Sequence, residues 1–429
     1  MNPEPETLAQ WLAHIERVHP ASIALGLDRV GTVKARLALE PTFPVITVGG
    51  TNGKGSTCAM LESILNQAGY RVGCYTSPHL LRYNERVRIG RVEASDTALA
   101  KAFSAVERAR GDTQLTYFEF GTLAAVLLFG EAVVDVAVLE VGLGGRLDAV
   151  NAFDADCAVV TAVDIDHVDY LGADREAIGR EKAGIFRAGR PAVCSDPNPP
   201  VSLIRHAEDI GAGLLRIGRD FGSRVQGQHW QYWGPRGARG ALPHPLLRGA
   251  CQLENAAAAI TALECMRDRL PIAVNDIRQG LLQAEIAGRF QVVPGRPATV
   301  LDVAHNPHAA RALAANLAAM KCSGRTFCVF AMLGDKDISG VASAVAPAIS
   351  HWYIAGLDAP RGADVAEIER ALARAGITAF TRCTNVADAY AQACDRAVED
   401  DRILVFGSFY TVASVVPLLD RRRMARTPG

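Results

Sequence analysis

Short apolar runs alternate with longer stretches of helical periodicity along most of the chain. "FPVITV", "VDVAVLEV", "CAVVTAV" and "PAVCS" are rich in β-branched residues and lack polar alternation, as strands buried on both faces do. Between them, "CAMLESILNQAGY" sets Met60, Leu61, Ile64, Leu65 and Ala68 on one helical stripe and stops at Gly69, a favoured C-terminal cap. Alternation of this kind predicts an α/β fold with a mostly parallel sheet and right-handed crossovers. From about Asp220 to Pro245 the pattern changes to Gly, Trp, Gln and Pro, which predicts a small antiparallel excursion. A helix follows in "LENAAAAITALECMRDRL". A second alternating series begins near Pro297 with "ATVLDVA", "TFCVFAML", "HWYIAGL", "ITAFTRC" and "RILVFGS". The segment "IAGRFQVVPGRP" between the two series is the candidate hinge. The expected division is residues 1–290 and a smaller Rossmann-like α/β domain over 297–429.

Length agrees with this division, since 429 residues exceed what one compact core accommodates. The 45 Lys plus Arg nearly cancel the 46 Asp plus Glu, which argues against a general nucleic-acid binder. Ten cysteines are scattered without a C-x-x-C pair and read as small buried apolar residues of a reducing compartment. The N-terminal "MNPEPETLAQWLAHIERVHP" has acids and prolines where a secretory signal carries a basic patch and an apolar core. No apolar run reaches the roughly 18–20 residues of a membrane span. The expectation is a cytoplasmic protein that binds neither membrane nor nucleic acid. The basic tail "DRRRMARTPG" reads as a solvated helix end.

The chemistry begins at "VITVGGTNGKGSTCAML". A strand, a glycine-rich turn and a helix N-terminus make an anion site of inward backbone N–H groups, helix dipole and a neutralising lysine. Asn52, Gly53, Lys54, Gly55 and Ser56 are the candidate ATP-phosphate residues, with the Ser56 or Thr57 hydroxyl placed for magnesium. The fold class expected is therefore a P-loop-type, mostly parallel sheet ATPase domain followed by the Rossmann-like one. The loop departs from G-x-x-x-x-G-K-[ST]: Val48 stands at the first glycine position, and Gly55 separates lysine from hydroxyl. "VGLGGRLDAVN" is not a dinucleotide fingerprint, because Leu147 stands where G-x-G-x-x-G needs glycine. Read by themselves, Glu140 is a strand-end acid, His167 a lone histidine and Lys182 a surface helix lysine. Phe118 and Phe120 read equally well as core aromatics or as the walls of a ring slot.

The variant "GTNGKGS" resembles the nucleotide loop of the Mur-ligase superfamily, and specifically of its folylpolyglutamate synthases. The likeness continues in "TSPHLLRYNERVRI", "LTYFEFGTLAA", "LEVGLGGRLDAVN", "DIDHVDYLG", "GREKAGIFR", "GRFQ", "DVAHNPHAA" and "GSFYTVA", in order along nearly the whole chain. Within that family it is most similar to the bacterial bifunctional enzymes that also make dihydrofolate. The resemblance implies an ATP-dependent amide ligase. A carboxylate attacks the γ-phosphate, and an amine displaces the resulting acyl phosphate, so charge neutralisation is the main demand on the protein.

Further roles follow from the same resemblance. Ser77, Glu140 and His167 match the family's metal-binding positions, and Lys182 matches a lysine that is carbamylated and helps hold magnesium; two magnesium sites and a monovalent cation are implied. Gly26, Leu27, Asp28 and Arg29 ("GLDR"), Phe118, Glu119, Phe120 and Gly121, and Leu147, Asp148 and Ala149 lie at the pteroate site. Asn255 contacts adenine, Arg289 bridges phosphates, and Asp302 contacts ATP with the catalytic candidate His305 nearby. Ser408 holds the glutamate carboxylate; a capped helix is the equal alternative there. The family implies a monomer acting on dihydropteroate, reduced folates, L-glutamate and ATP. Competing readings are a monofunctional synthase that adds only later glutamates, a cell-wall ligase of the superfamily, and a P-loop motor or switch. The pterin-side motifs and "DVAHNP" disfavour the last two.

Overall fold

Five consecutive buried residues, Val45–Gly49, form the strand β1 that carries the lysine loop at its C-terminal end. The structure, a computed structural model, describes residues 5–21, 23–249 and 251–426, with side chains in the last helix described as far as Leu419. The chain divides into two compact units: residues up to Leu246 together with Gln252–Glu285, and Leu247–Cys251 together with residues from Ile286 onward.

In the first unit, β1 is joined by β2 (Val72–Tyr75), β3 (Val87–Ile89), β4 (Val92–Glu93), β5 (Val136–Glu140), β6 (Cys157–Val160), β7 (Pro191–Cys194) and β8 (Gly213–Arg216). The sheet order is β4-β3-β2-β5-β1-β6-β7-β8; only β3 and β4 run antiparallel to their neighbours. Central β1 pairs with β5 (Val48 opposite Glu140) and with β6 (Gly49 opposite Val160), so three parallel strands end together beside the lysine loop. Helices cover both faces of such a sheet, which explains the unbroken apolar strands.

The helix Lys54–Gln67 departs from the amphipathic expectation. Every residue from Gly55 to Leu65 is buried, because the helix Val274–Gln283 covers the side turned away from the sheet. The predicted excursion is a three-stranded antiparallel sheet, β9 (Gly222–Gln226), β10 (His229–Gly234) and β11 (Gly237–Pro243). Buried Tyr232 anchors it to the helix Cys251–Cys265 through the Thr261 hydroxyl at 3.1 Å.

The second unit holds β12 (Gln291–Val293), β13 (Ala298–Asp302), β14 (Thr326–Phe330), β15 (His351–Ile354), β16 (Phe380–Arg382) and β17 (Arg402–Phe406). Their order is β12-β13-β17-β14-β15-β16, parallel except for β12. Its core includes Phe330, Trp352 and Phe406, with ring centroids 4.9 to 6.2 Å apart. The proposed hinge segment thus contributes an edge strand rather than a bare linker.

Among the described residues no helix is long and apolar enough to cross a membrane. None of the ten cysteines is joined in a disulfide. The helix Phe409–Arg426 runs into the basic tail, whose side chains from residue 420 onward, together with residues 427–429, are not described.

Candidate active site

The lysine loop is held from below by β6. Gly50 has φ +139°, and a Cβ there would come within 1.8 Å of the Thr161 hydroxyl, so only glycine fits. That hydroxyl, wholly buried, lies 3.1 Å from the Gly49 carbonyl and 2.7 Å from the Asn52 carbonyl. The Thr51 N–H donates to Ala162 O at 2.7 Å, and its hydroxyl to Asp164 O at 3.0 Å. Gly53, at φ +93°, is the N-cap of the next helix and offers no side-chain cap, which leaves the first-turn N–H groups for an anion. Lys54 Nζ donates to the loop's own Gly50 and Thr51 carbonyls at 3.0 and 3.2 Å. The Thr57 hydroxyl in the same turn is buried without a partner.

Asn255 is buried with its amide directly against Gly53; a Cβ on Gly53 would lie 2.6 Å from Asn255 Oδ1. Asn255 Nδ2 donates to Gln252 Oε1 at 3.0 Å, and Gln252 Nε2 to Ser56 Oγ at 3.3 Å. One helix therefore packs its polar face on the loop.

Glu140 ends β5 and is buried, and the Ser77 N–H donates to its Oε2 at 3.1 Å. His167 sits in the left-handed region at φ +52°, its N–H bonded to Asp166 Oδ1 at 2.9 Å and its Nε2 3.9 Å from Asp166 Oδ2. Among the described residues no three His, Cys, Asp or Glu side chains form a ready metal cage. Ser77 and Glu140 come together.

Lys182 is not the surface residue its helical setting predicts: it is 3% exposed. Its helix, Arg175–Ala183, is clamped to the 142–151 loop, with Arg146 N–H donating to Glu181 O at 2.8 Å and Asn151 Nδ2 to Gly184 O at 3.0 Å. Burial, and then the charge of Lys54, lower its pKa to about 7 against the opposing pull of Asp166 and Asp148. Asp148 is buried too and accepts the Leu143 and Val150 N–H groups at 2.9 and 3.0 Å. Desolvation pushes its pKa up to about 7, although those bonds and Lys54 pull it down.

The three pteroate-side segments, far apart in sequence, meet. Arg29 forks onto Glu119 (Nη2–Oε1 2.9 Å, Nε–Oε2 3.3 Å) and also reaches Ala24 O at 2.6 Å. Glu119 stays fixed because it forms a capping box with Thr116 at the start of the helix Tyr117–Glu131. The Gly26 N–H donates to Leu147 O at 3.1 Å. Leu27 is the N-cap of the helix Asp28–Arg36, which Asp28 begins, and Ala149 is buried just after Asp148. Phe118 and Phe120 part company. Phe120 is wholly buried against Phe103 as a core aromatic, whereas the part-buried Phe118 ring lies over Gly142 and 5.7 Å from the Tyr75 ring. Gly121 is needed for room, since a Cβ there would meet the Tyr83 hydroxyl at 2.2 Å.

Arg86 joins this neighbourhood without having been singled out from sequence. Its Nε donates to His79 Nδ1 at 2.8 Å, and its guanidinium lies 5.3 and 5.4 Å from the Tyr83 and Tyr117 ring centres. Burial, then Arg86, lower the His79 pKa to about 4, so the ring is neutral. The signal was the polar density of "SPHLLRYNER". Thr161 carried none, because its role depends on which strand lies beside β1.

In the second unit, Asp302 ends β13 and accepts the Phe290 and Ala304 N–H groups, both at 2.8 Å. Burial raises its pKa against the opposing Arg289, the two N–H groups and His305. The Arg289 guanidinium lies 5.0 Å from the Phe409 ring centre, and His305 Nδ1 is 2.9 Å from Val303 O. The Ser408 hydroxyl is buried and committed: it accepts the Thr411 N–H at 3.0 Å and pairs with the Thr411 hydroxyl at 2.7 Å.

A lysine loop on a parallel sheet, with a carboxylate on the adjacent strand end, followed by a second α/β unit, defines a nucleotide-dependent ligase of the Mur type. The family profile described as Mur ligase middle domain matches residues 48–263, and that described as Mur ligase, glutamate ligase domain matches residues 288–409. The chain is 46% identical over 421 residues to the dihydrofolate synthase/folylpolyglutamate synthase of Escherichia coli (strain K12), covering 97% of this chain and 96% of that one. The structure of E. coli FolC in complex with DHPP and ADP superposes with a TM-score of 0.93, covering 99% and 100% of the two chains at 46% identity. A bifunctional folylpolyglutamate synthase/dihydrofolate synthase with Mn, AMPPNP and L-glutamate bound gives a TM-score of 0.91 at 44% identity, covering 98% and 100%. The chain belongs to the dihydrofolate synthase/folylpolyglutamate synthase family of Mur ligases.

Proposed function

We propose that this chain joins L-glutamate to dihydropteroate, giving dihydrofolate, and adds further glutamates to reduced folates, with ATP cleaved to ADP. The observation that carries the reading is the shared strand end: the uncapped helix N-terminus with Lys54 lies beside Glu140 and Ser77. The FolC relative's DHPP and ADP, and the Mn, AMPPNP and L-glutamate of the second, support the substrate set.

The loop N–H groups of residues 52–56 and Lys54 would hold the ATP phosphates, and Asn255 the adenine. A divalent cation would accompany the nucleotide, and we assign it as magnesium at two sites, together with a monovalent cation. The residues fit such an ion: magnesium keeps several waters and takes one or two carboxylates plus phosphate oxygens, so a complete protein cage is not expected. Ser77, Glu140 and His167 would hold it, and bound there it neutralises charge on the transferring phosphoryl group. Lys182 as a neutral amine would take up CO2 with loss of a proton, giving a carbamate; its burial beside Lys54 favours the uncharged amine. The segments at 26–29, 118–121 and 147–149 would receive the pterin, with the Phe118 ring as the apolar wall. Arg289, Asp302 and His305 are assigned to the nucleotide, His305 also as a catalytic candidate, and Ser408 to glutamate. We assign a monomer acting in the cytoplasm.

The test is ADP release with glutamate and each acceptor in turn. Release with both dihydropteroate and a reduced folate is expected. Release with the folate alone would make the enzyme monofunctional, and release with neither would overturn the reading.

A further inference from the structure

Close to the candidate metal end of the site lies a part-buried guanidinium that the chemistry above does not use. Arg88, in β3, has its side chain 22% exposed, and it forks onto Glu62, whose side chain is 6% exposed. The bonds are Nε to Oε1 and Oε2 at 3.1 and 3.0 Å and Nη2 to Oε2 at 2.9 Å. Glu62 stands eight residues, about two turns, beyond Lys54 on the same helix, so the two share one helical face with Cys58 between them.

The other edge of the guanidinium faces a different element. Nη1 donates to the Thr76 hydroxyl at 3.2 Å and to the Glu85 carbonyl at 2.7 Å, and Nη2 lies 3.3 Å from Cys74 Sγ. Thr76 directly precedes Ser77, whose N–H is bonded to Glu140. The Glu85 carboxylate in turn collects the Leu80, Leu81 and Arg82 N–H groups at 2.6, 2.7 and 2.7 Å. Both ends of the segment from Thr76 to Glu85 are therefore tied to one side chain, and that side chain is tied to the lysine-loop helix.

Rigid, planar and multidentate, a guanidinium can hold two elements at once in a way that an ammonium cannot. An ion pair needed only for stability could have ended on Glu62; this one continues to the residue beside a candidate ligand. We propose that Arg88 is a positioning residue for the divalent-cation end of the site, fixing Ser77 and Glu140 relative to the lysine-loop helix through Thr76 and Glu62. The proposal rests on the assignment of Ser77 and Glu140 to the cation.

Removal of a group that orients metal ligands typically costs about 10–100-fold in metal affinity. The experiment titrates Mn2+ by the loss of its free-ion electron paramagnetic resonance signal, with a non-hydrolysable ATP analogue present. Parent, Thr76→Val, Arg88→Lys and Glu140→Gln are compared. Thr76→Val keeps the branched shape and the Arg88–Glu62 pair and removes only the link to the loop, so it is the variant that decides if Arg88→Lys fails to fold. The expected result is about 10-fold weaker Mn2+ binding in Thr76→Val and Arg88→Lys, with a parent-like melting temperature for Thr76→Val. The half-saturating magnesium concentration should rise while the KM for dihydropteroate stays put, which a loss of folded enzyme would not produce. If Glu140→Gln weakens Mn2+ binding and folded Thr76→Val does not, the brace is wrong and the site assignment stands. If Glu140→Gln binds Mn2+ like the parent, the site assignment falls and the proposal falls with it.

Discussion

The C-terminal edges of the two parallel sheets handle buried polar groups in opposite ways. In the second unit, Asp302 ends its strand and Ser408 lies just beyond one, both with their hydrogen-bonding capacity spent locally: two backbone N–H groups fall on the carboxylate, and the Thr411 N–H and hydroxyl fall on the serine. At the same edge of the first unit, the helix after β1 has no side-chain cap, and Lys54 rests on its own loop's carbonyls. Lys182 and Asp148 are buried nearby with pKa values both brought to about 7. The first edge is held short of full satisfaction, and its proton affinities are moved toward neutrality. Such groups gain most from an arriving phosphate and cation, which supports the proposal that the ligation chemistry takes place at that edge.

The largest effect expected from this contrast is at Lys54. Lys54→Ala should lower ligation at least 10²–10³-fold with either acceptor and leave the melting temperature near the parent's, because the lost charge acts on the transferring phosphoryl group. Turnover close to normal would remove the phosphate-loop assignment. Lys182→Ala should come next, nearly inactive, with acetate or formate at high concentration restoring part of the rate. Lys182→Arg should stay inactive, since it keeps a positive charge and takes up no CO2. Activity in the arginine variant together with no response to acetate would mean that the ammonium itself is used.

Asp148 sharpens the comparison without any turnover. The folded chain keeps this carboxyl protonated up to about pH 7, whereas the unfolded chain releases the proton near its ordinary value of 3.8. Folding therefore takes up a proton between those values. The contribution is fully present at low pH and is lost as pH rises through 7. Asp148→Asn stays neutral throughout, so the stability of the parent relative to this variant should fall between pH 4 and pH 8 by on the order of 2–4 kcal/mol. Denaturant melts at several pH values measure this, and parallel curves would show that burial does not shift the group. The smallest effect is expected at Ser408. If its hydroxyl is only a cap, Ser408→Ala costs about 0.5–2 kcal/mol of stability and leaves the KM for glutamate unchanged. A large rise in that KM with stability intact would support the assignment of the serine to glutamate.

Legibility in the sequence followed the distance over which each feature is encoded. The lysine loop is one contiguous stretch rich in glycine, so the turn after β1 and the helix that starts at Lys54 could be read from it directly. Glu140 was readable as the end of an apolar run. By contrast, the fork of Arg29 on Glu119 joins residues 90 positions apart, and nothing local to either announces the other. Phe118 and Phe120 flank the same Glu119, yet Phe120 is core and Phe118 lies part-buried over Gly142, because alternate positions on a helix start face different surroundings.

Local pattern was enough for the strands, the anion loop, the antiparallel excursion and the two series of elements, since hydrophobic period and turn chemistry act over a few residues. Burial and coupling came from the assembled molecule. Lys182 became a buried amine only because the 142–151 loop closes over its helix. The Lys54–Gln67 helix lost its exposed face only because a helix some 200 residues later in the chain covers it. Thr161 acquired its hold on the loop from the order of strands in the sheet. Desolvation and charge proximity depend on what surrounds a group in space, and strand order and helix placement, not the neighbouring residues in the chain, set those surroundings.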